Sequence, residues 1–202
     1  VEVKLVTHGD RVLRSYDHEI VDRLVDLSRQ KGIDIRFHFG IKSVTKQDNG
    51  TLLIEGDNGE VLETDLLLWA IGRTPHAIGL GLEDVGVELG KDGTVKVGDD
   101  SRTNIPSIYA VGDVTNRVQL TPIAIREGHA FADSVFGNNP RTVNYDCIPT
   151  AVFSNPPIAS VGVTEAEART QFDDVKVYKS DFRAMKNVLA DRNERALYKM
   201  VV

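Results

Sequence analysis

Apolar and polar residues alternate over residues 1–6, as in a strand with one buried face, and a helical repeat follows. Residues 17–31 have apolar side chains at helical spacing, namely Ile20, Val21, Leu24, Val25 and Leu27. Asp17 is placed to cap this helix and Gly32 to end it. With a further strand over residues 33–39, the pattern predicts a strand–helix–strand unit whose two strands are parallel.

Three short strands are predicted next, over residues 41–45, 52–55 and 61–64. The first two alternate around Asn49-Gly50, a pair that favours a tight hairpin turn. Residues 66–71 are almost continuously apolar, as expected of a strand that is buried on both faces.

The second half of the chain begins with a glycine-rich, irregular segment over residues 79–98, with a weak strand at 95–97. A buried strand is predicted over residues 107–111. A helix follows over residues 122–136, with Thr121 as its N-cap and Pro122 as its first residue.

The last part of the chain is predicted to be richer in strands than in helices. Strands are expected over residues 150–153, 158–163, 175–182 and 196–202. Thr164 is placed to cap a helix between the second and third of them. This order favours an antiparallel α+β arrangement.

Composition narrows the class of protein. The 202 residues are 41% hydrophobic and 27% charged, with a net charge of -6 and no basic run, which argues against a general nucleic-acid surface. No apolar stretch approaches the ~18 residues that a membrane span needs. The single cysteine, Cys147, excludes a disulfide within the chain and is expected to be buried. The five histidines lack metal-ligand spacing, and we predict no metal site.

Two apolar segments each end in a glycine followed by a charged residue. Residues 66–71 lead into Gly72-Arg73, and residues 107–111 lead into Gly112-Asp113. Such a turn brings a backbone close to a nucleotide, and an aspartate there can accept a hydrogen bond from a sugar hydroxyl. The alternatives are a surface arginine and a turn-forming aspartate.

The first strand also ends in charged residues. His8 and Arg14 follow it, and no acidic residue stands directly at the end of the strand. In a nucleotide-binding unit an acid at this place selects NAD, whereas basic groups accept the 2′-phosphate of NADP. The pattern favours NADPH over NADH, and an exposed charged loop is the alternative.

These segments, with Leu120-Thr-Pro122 and residues 145–157, closely resemble the flavin-dependent pyridine nucleotide–disulfide oxidoreductases. Within that family the similarity is greatest to the members that reduce oxidised glutathione. The resemblance implies FAD and NADPH as cofactors and a homodimer. It implies an α/β fold of incomplete nucleotide-binding, Rossmann-like domains followed by part of an α+β dimerisation domain. The boundaries would be 1–75 for the second half of the NADPH domain, 76–143 for a returning FAD-domain segment, and 144–202 for the dimerisation part.

The resemblance also assigns roles to single residues. Near the cofactors it places His8, Arg14, Gly72, Arg73, Gly112, Asp113, Gln119, Thr121 and Ala151. Position 8 is commonly arginine in these enzymes and is histidine here. His129 stands where many members have an arginine that contacts a glutathione carboxylate, and it is a candidate substrate residue.

Several parts of the family's machinery are missing from the 202 residues. The CxxxxC pair, the FAD and NADPH glycine loops and the His-Pro motif are not found, so no catalytic residue can be named and the piece alone is expected to be inactive. A chain that begins and ends in predicted strands is expected to be part of a longer protein. Cytoplasmic location is expected, with organellar targeting left open. Dihydrolipoamide dehydrogenase, trypanothione reductase, mercuric reductase and a non-catalytic nucleotide-binding or dimerising module remain alternatives.

Overall fold

A computed structural model describes all residues from 1 to 202, which form two compact units. Unit 1 consists of Val1–Leu68 and Asp146–Val202, and unit 2 consists of Trp69–Tyr145. No helix combines the length and the hydrophobicity that a bilayer span requires.

Unit 1 opens with the strand–helix–strand motif that the sequence predicts. Strand β1 (Val3–Val6) is followed by helix α1 (His18–Gln30) and strand β2 (Ile33–Arg36). The strands are parallel, with Val3 opposite Ile33. The Asp17 side chain accepts hydrogen bonds from two backbone N–H groups of the first helical turn, which confirms it as the N-cap. Strand β2 is shorter than predicted because His38 has a φ of 54°, outside the strand region.

The next three strands form an antiparallel sheet. They are β3 (Ile41–Lys46), β4 (Leu52–Gly56) and β5 (Val61–Thr64), with β4 in the centre. The predicted hairpin is confirmed. One face of the sheet buries Phe39, Ile54 and Leu62.

Unit 2 contains little regular structure before its helix. A 3₁₀ turn at Gly112–Thr115 precedes helix α2 (Thr121–Val135). Ala77, Val87 and Val95 form the small buried core. The predicted strand over residues 95–97 is reduced to one bridge between Leu89 and Val95.

The remainder of unit 1 consists of two antiparallel strand pairs and two short helices. Strands β6 (Thr150–Val152) and β7 (Ile158–Ser160) pair, and helix α3 (Glu165–Gln171) follows. Strands β8 (Val177–Phe182) and β9 (Ala196–Val201) flank the unpredicted helix α4 (Met185–Leu189). Thr164 and Glu167 form a reciprocal capping box at α3, so the predicted cap is confirmed.

Two predicted buried strands are wrong. Residues 66–71 form no strand, and Leu66, Leu68 and Ile71 are 82%, 84% and 77% exposed, because no strand of the chain is hydrogen-bonded to them. Residues 107–111 likewise form no ladder, and only Tyr109 makes a bridge, to Arg102.

Two predictions about single residues are also wrong. The N-cap of α2 is Leu120 and not Thr121, because the Leu120 carbonyl already accepts the N–H groups of Ile123 and Ala124. Cys147 is exposed, and its φ of 52° marks a turn that precedes β6 and does not pack into a core.

Candidate functional site

The two glycine–charge turns predicted to contact cofactor meet in unit 2. Arg73 Nη1 donates to Asp113 Oδ2 at 2.7 Å. Gly112 has a φ of 75°, and a Cβ at that position would lie 3.1 Å from the Cβ of Ala124 in α2. Glycine is therefore required both by the backbone conformation and by the close approach of the helix.

The Arg73–Asp113 pair is accessible to a ligand. The two side chains are 66% and 50% exposed. Exposed ion pairs contribute about 0–1 kcal/mol, so a ligand hydroxyl can share or replace the Arg73 contact at small cost. Asp113 itself is held by the 3₁₀ turn, in which Thr115 Oγ1 donates to the Gly112 carbonyl at 2.8 Å.

Helix α2 begins close in sequence to this turn and has no side-chain cap. Its N-cap is Leu120, whose side chain offers no acceptor. The first backbone N–H groups of the 15-residue helix and its dipole together favour an anion or an electron-rich ring edge. Gln119, just before the helix, donates through Nε2 to Asn116 Oδ1 at 2.9 Å.

No hydrogen bond links the remaining predicted residues of unit 2 to the Arg73–Asp113 pair. Thr121 is the first residue of α2 and is exposed. His129 lies two turns further along the helix and is also exposed. Both side chains are free to meet a ligand, but no contact with Arg73 or Asp113 links them to that pair.

The predicted NADPH residues lie together at the carboxyl end of β1 in unit 1. The Arg14 guanidinium lies against Gly9, where any Cβ would overlap it. His8 Nδ1 lies 3.4 Å from Asp57 Oδ2, and the His8 side chain is 82% exposed. Ala151, in β6 of the same unit, is exposed and pairs with Ala159.

Asp57 is a member of this cluster that the sequence did not reveal. It lies in the turn between β4 and β5 and accepts the Gly40 N–H at 3.0 Å. Its carboxylate therefore adds a negative charge beside His8, at the place where the sequence showed no acid. Only the pairing of the three-stranded sheet brings it there, so no local signal could have found it.

Glu127 is the second residue that sequence reasoning missed. It lies in α2, is only 2% exposed, and accepts the Gly112 N–H through Oε2 at 2.6 Å. Its Oε1 accepts the Tyr145 hydroxyl at 2.6 Å. One signal was available: Glu127 lies one helical turn from Ile123, on the same buried face.

A further charge cluster lies in unit 1, around one buried lysine. The Lys199 side chain is 7% exposed and contacts carboxylates of Asp17, Glu19 and Glu165 at 2.9, 3.2 and 2.7 Å. Burial lowers the pKa of Lys199, but the hydrogen bonds that its ammonium donates to these carboxylates outweigh this effect and raise the pKa above the ordinary range. The cluster and Arg14 line an open cavity of about 510 Å³. No group of three or more His, Cys, Asp or Glu is arranged to hold a metal ion.

The parallel β1–α1–β2 unit, the two glycine–charge turns and the uncapped α2 are features typical of nucleotide-binding proteins. The chain belongs to the pyridine nucleotide-disulphide oxidoreductase family, whose model matches residues 1–128. The model of the family's dimerisation domain matches residues 148–202.

Curated relatives include several glutathione reductases. The protein from Burkholderia cepacia is 47% identical over 194 residues, covering 96% of this chain and 43% of the relative. The chloroplastic/mitochondrial protein from Pisum sativum is 40% identical over 201 residues, covering 100% of this chain and 36% of the relative. Trypanothione reductase from Trypanosoma congolense is 36% identical, covering 99% and 41%. The chain thus spans less than half the length of these relatives.

A solved structure has the same fold. The HOCl-induced flavoprotein disulfide reductase RclA from Escherichia coli superposes with a TM-score of 0.91 at 26% identity. The match covers 100% of this chain and 46% of that structure.

Proposed function

We propose that the chain is part of an FAD-dependent NADPH:disulfide oxidoreductase whose substrate is oxidised glutathione. The observation that carries the proposal is the Arg73–Asp113 pair, which joins the two turns that the sequence assigned to cofactor binding. The proposal of glutathione rests on the glutathione reductases among the relatives, which are 39–47% identical to this chain.

The residues of unit 2 fit FAD. Asp113 would accept hydrogen bonds from hydroxyls of the ribityl chain, with Gly72 and Gly112 allowing the backbone to come close. Arg73 would orient the Asp113 carboxylate and offer its remaining N–H groups to polar edges of the cofactor. The N-terminus of α2 at Thr121 would face the electron-rich edge of the flavin ring. When bound, FAD would carry reducing equivalents from NADPH to the disulfide.

The residues at the end of β1 would hold the adenosine end of NADPH. Arg14 would pair with the 2′-phosphate as a charged, forked donor. His8 would add a second donor, weakened by the neighbouring Asp57 carboxylate. The family resemblance assigns two further residues separately: Gln119 of unit 2 as a contact of the nicotinamide amide, and Ala151 of unit 1 as a backbone contact of the nicotinamide.

The domain organisation and assembly belong to the same proposal. Residues 1–75 would be the second half of the NADPH domain, 76–143 the returning FAD-domain segment, and 144–202 the start of the dimerisation domain. A homodimer is supported by the dimerisation-domain match. A cytoplasmic location is part of the same proposal.

Trypanothione is the second candidate substrate, because one of the relatives is a trypanothione reductase. At position 129 a histidine lacks the forked donor of an arginine and would hold a glutathione carboxylate less firmly. The lower identity of that relative, 36% against 47%, places this candidate second.

Flavin content, and reduction of the flavin by NADPH, test whether the protein is an NADPH-dependent flavoprotein. The intact protein should purify with a flavin absorption spectrum that NADPH bleaches under anaerobic conditions, while NADH bleaches it far more slowly. Protein that neither carries nor takes up FAD would contradict the proposal. Protein that takes up FAD but is bleached only by NADH would contradict the assignment of Arg14.

A further inference from the structure

Glu127 is a buried carboxylate to which the proposed function gives no role. It lies inside helix α2 and is 2% exposed. A buried charge is costly unless it is paired or fully hydrogen-bonded. Both of its oxygens are in fact used, one by the Gly112 N–H and one by the Tyr145 hydroxyl.

The hydrogen bonds continue beyond Tyr145 to a cation. Arg117 Nη1 donates to the Tyr145 hydroxyl at 3.2 Å, and its guanidinium lies 5.7 Å from the centre of the Tyr145 ring. Arg117 Nη2 donates to the carbonyls of Val97 and Gly98 at 3.0 and 2.5 Å. These backbone carbonyls hold Arg117 in place. Its positive charge balances the negative charge of Glu127, to which it is linked through the Tyr145 hydroxyl.

Only a carboxylate satisfies every group in this arrangement. The Gly112 N–H and the Tyr145 O–H both need an acceptor, and an ionised carboxylate has acceptors alone. Burial raises the pKa of Tyr145, as does its hydrogen bond to Glu127, which keeps the phenol protonated and able to donate. A glutamine at position 127 could accept from only one of the two donors.

The end of this chain of hydrogen bonds is the peptide that precedes Asp113. Gly112 is in the left-handed region, with a φ of 75°, and its N–H direction sets the start of the 3₁₀ turn that carries Asp113. We infer that Glu127 is a positioning residue, which holds the Gly112–Asp113 turn in the orientation that presents the Asp113 carboxylate to FAD. This inference rests on the proposed function for its ligand, but the geometry it describes is independent of the ligand.

The test compares four variants of the intact protein. E127A removes the acceptor, E127Q keeps the shape but supplies one acceptor, and Y145F removes the second donor while leaving the Gly112 bond. D133N makes the same acid-to-amide change on α2 at a residue that pairs only with Arg141 at the surface. For each we would measure the Kd of the apoprotein for FAD and for NADPH, and the exchange rate of the Gly112 amide hydrogen.

The expected result is a selective loss of FAD affinity. E127Q should raise the Kd for FAD about tenfold and E127A further, as expected for losing a hydrogen bond to a charged group. D133N should stay within about twofold, since surface pairs contribute little. The Kd for NADPH should not change, and Gly112 amide exchange should be faster in E127A and E127Q than in Y145F.

Two results would overturn the inference. One is unchanged FAD affinity and Gly112 exchange in both Glu127 variants, and the other is an equal loss of FAD and NADPH affinity, which would mark a general structural role. If the unaltered protein does not bind FAD at all, the proposed function fails, and Gly112 exchange still decides whether Glu127 holds the turn. Should E127A fail to fold, E127Q carries the same comparison.

Discussion

Arg73 and Asp113 lie 40 positions apart in the sequence and form one ion pair, 2.7 Å from Nη1 to Oδ2. Each is the charged residue of a glycine–charge turn, so the contact joins two segments that the sequence had marked separately. Because both side chains are at least half exposed, the pair remains open to a ligand. The pair is thus better suited to orienting a carboxylate than to stabilising the fold.

Replacing Asp113 by asparagine should weaken FAD binding strongly. The D113N variant loses the charged acceptor for cofactor hydroxyls, and charged hydrogen bonds are worth about 1.5–3 kcal/mol, or roughly tenfold to a hundredfold in Kd. Flavin fluorescence quenching on titrating the apoprotein measures this directly. D100N is the matched control, since Asp100 is an equally exposed partner of an arginine in the same unit. Equal affinities in D113N and D100N would exclude Asp113 from the site.

Replacing Arg14 by methionine should reduce the preference for NADPH over NADH and leave the reaction with NADH almost unchanged. R14M removes the forked donor for a 2′-phosphate, so KM for NADPH should rise about tenfold or more while KM for NADH changes little. Steady-state rates with both nucleotides give the ratio. R141M, at the surface of unit 2, should leave the ratio as it is. A parallel loss with NADPH and NADH would show that Arg14 has another role.

The buried Lys199 should matter more for stability than the exposed Lys179. K199M leaves the carboxylates of Asp17, Glu19 and Glu165 together without their cation, which should cost about 3 kcal/mol or more in unfolding free energy. K179M removes only an exposed contact to Glu19 and should cost less than about 1 kcal/mol. Urea unfolding of the two variants makes the comparison. Similar losses would mean that Lys199 is far more hydrated than its 7% exposure indicates.

Acid should weaken the contact between α1 and β8. Hydrogen bonds from Arg23 and Arg195 lower the pKa of Asp181 from 3.8 to about 2. A carboxyl whose pKa is lowered by folding stabilises the protein above its unfolded pKa, and this contribution is lost as pH falls. The D181N variant should therefore be less stable than the unaltered protein above pH 4, and the difference should shrink between pH 3.8 and about 2.

Unfolding midpoints measured over this pH range test the prediction. D191N is the control, because Asp191 is fully exposed and its removal should have little effect at any pH. A D181N difference that does not vary with pH would show that the ion pairs with Arg23 and Arg195 are not formed in solution.

Local features of the fold followed from the sequence, whereas features that need distant partners did not. Asp17 and Thr164 were identified as caps because a cap depends on residues two or three positions away. The apolar run at residues 66–71 indicated a preference for burial but could not show that no strand of this chain pairs with it.

The candidate site divides in the same way. The glycine–charge turns carry a local signal, so the sequence alone indicates Arg73 and Asp113. Their contact with each other, the approach of Asp57 to His8, and the bond from Glu127 to Gly112 depend on how distant segments pack. Sequence periodicity could place Glu127 on the buried face of α2, but not name its partners.

Steady-state oxidation of NADPH by the intact protein, with oxidised glutathione, lipoamide and trypanothione as alternative acceptors, tests the central claim most directly. Rapid turnover with oxidised glutathione and little with the other two is the result expected of a glutathione-reducing flavoenzyme. Turnover that depends on lipoamide or trypanothione, or no turnover with any disulfide in protein that has bound FAD, would contradict it.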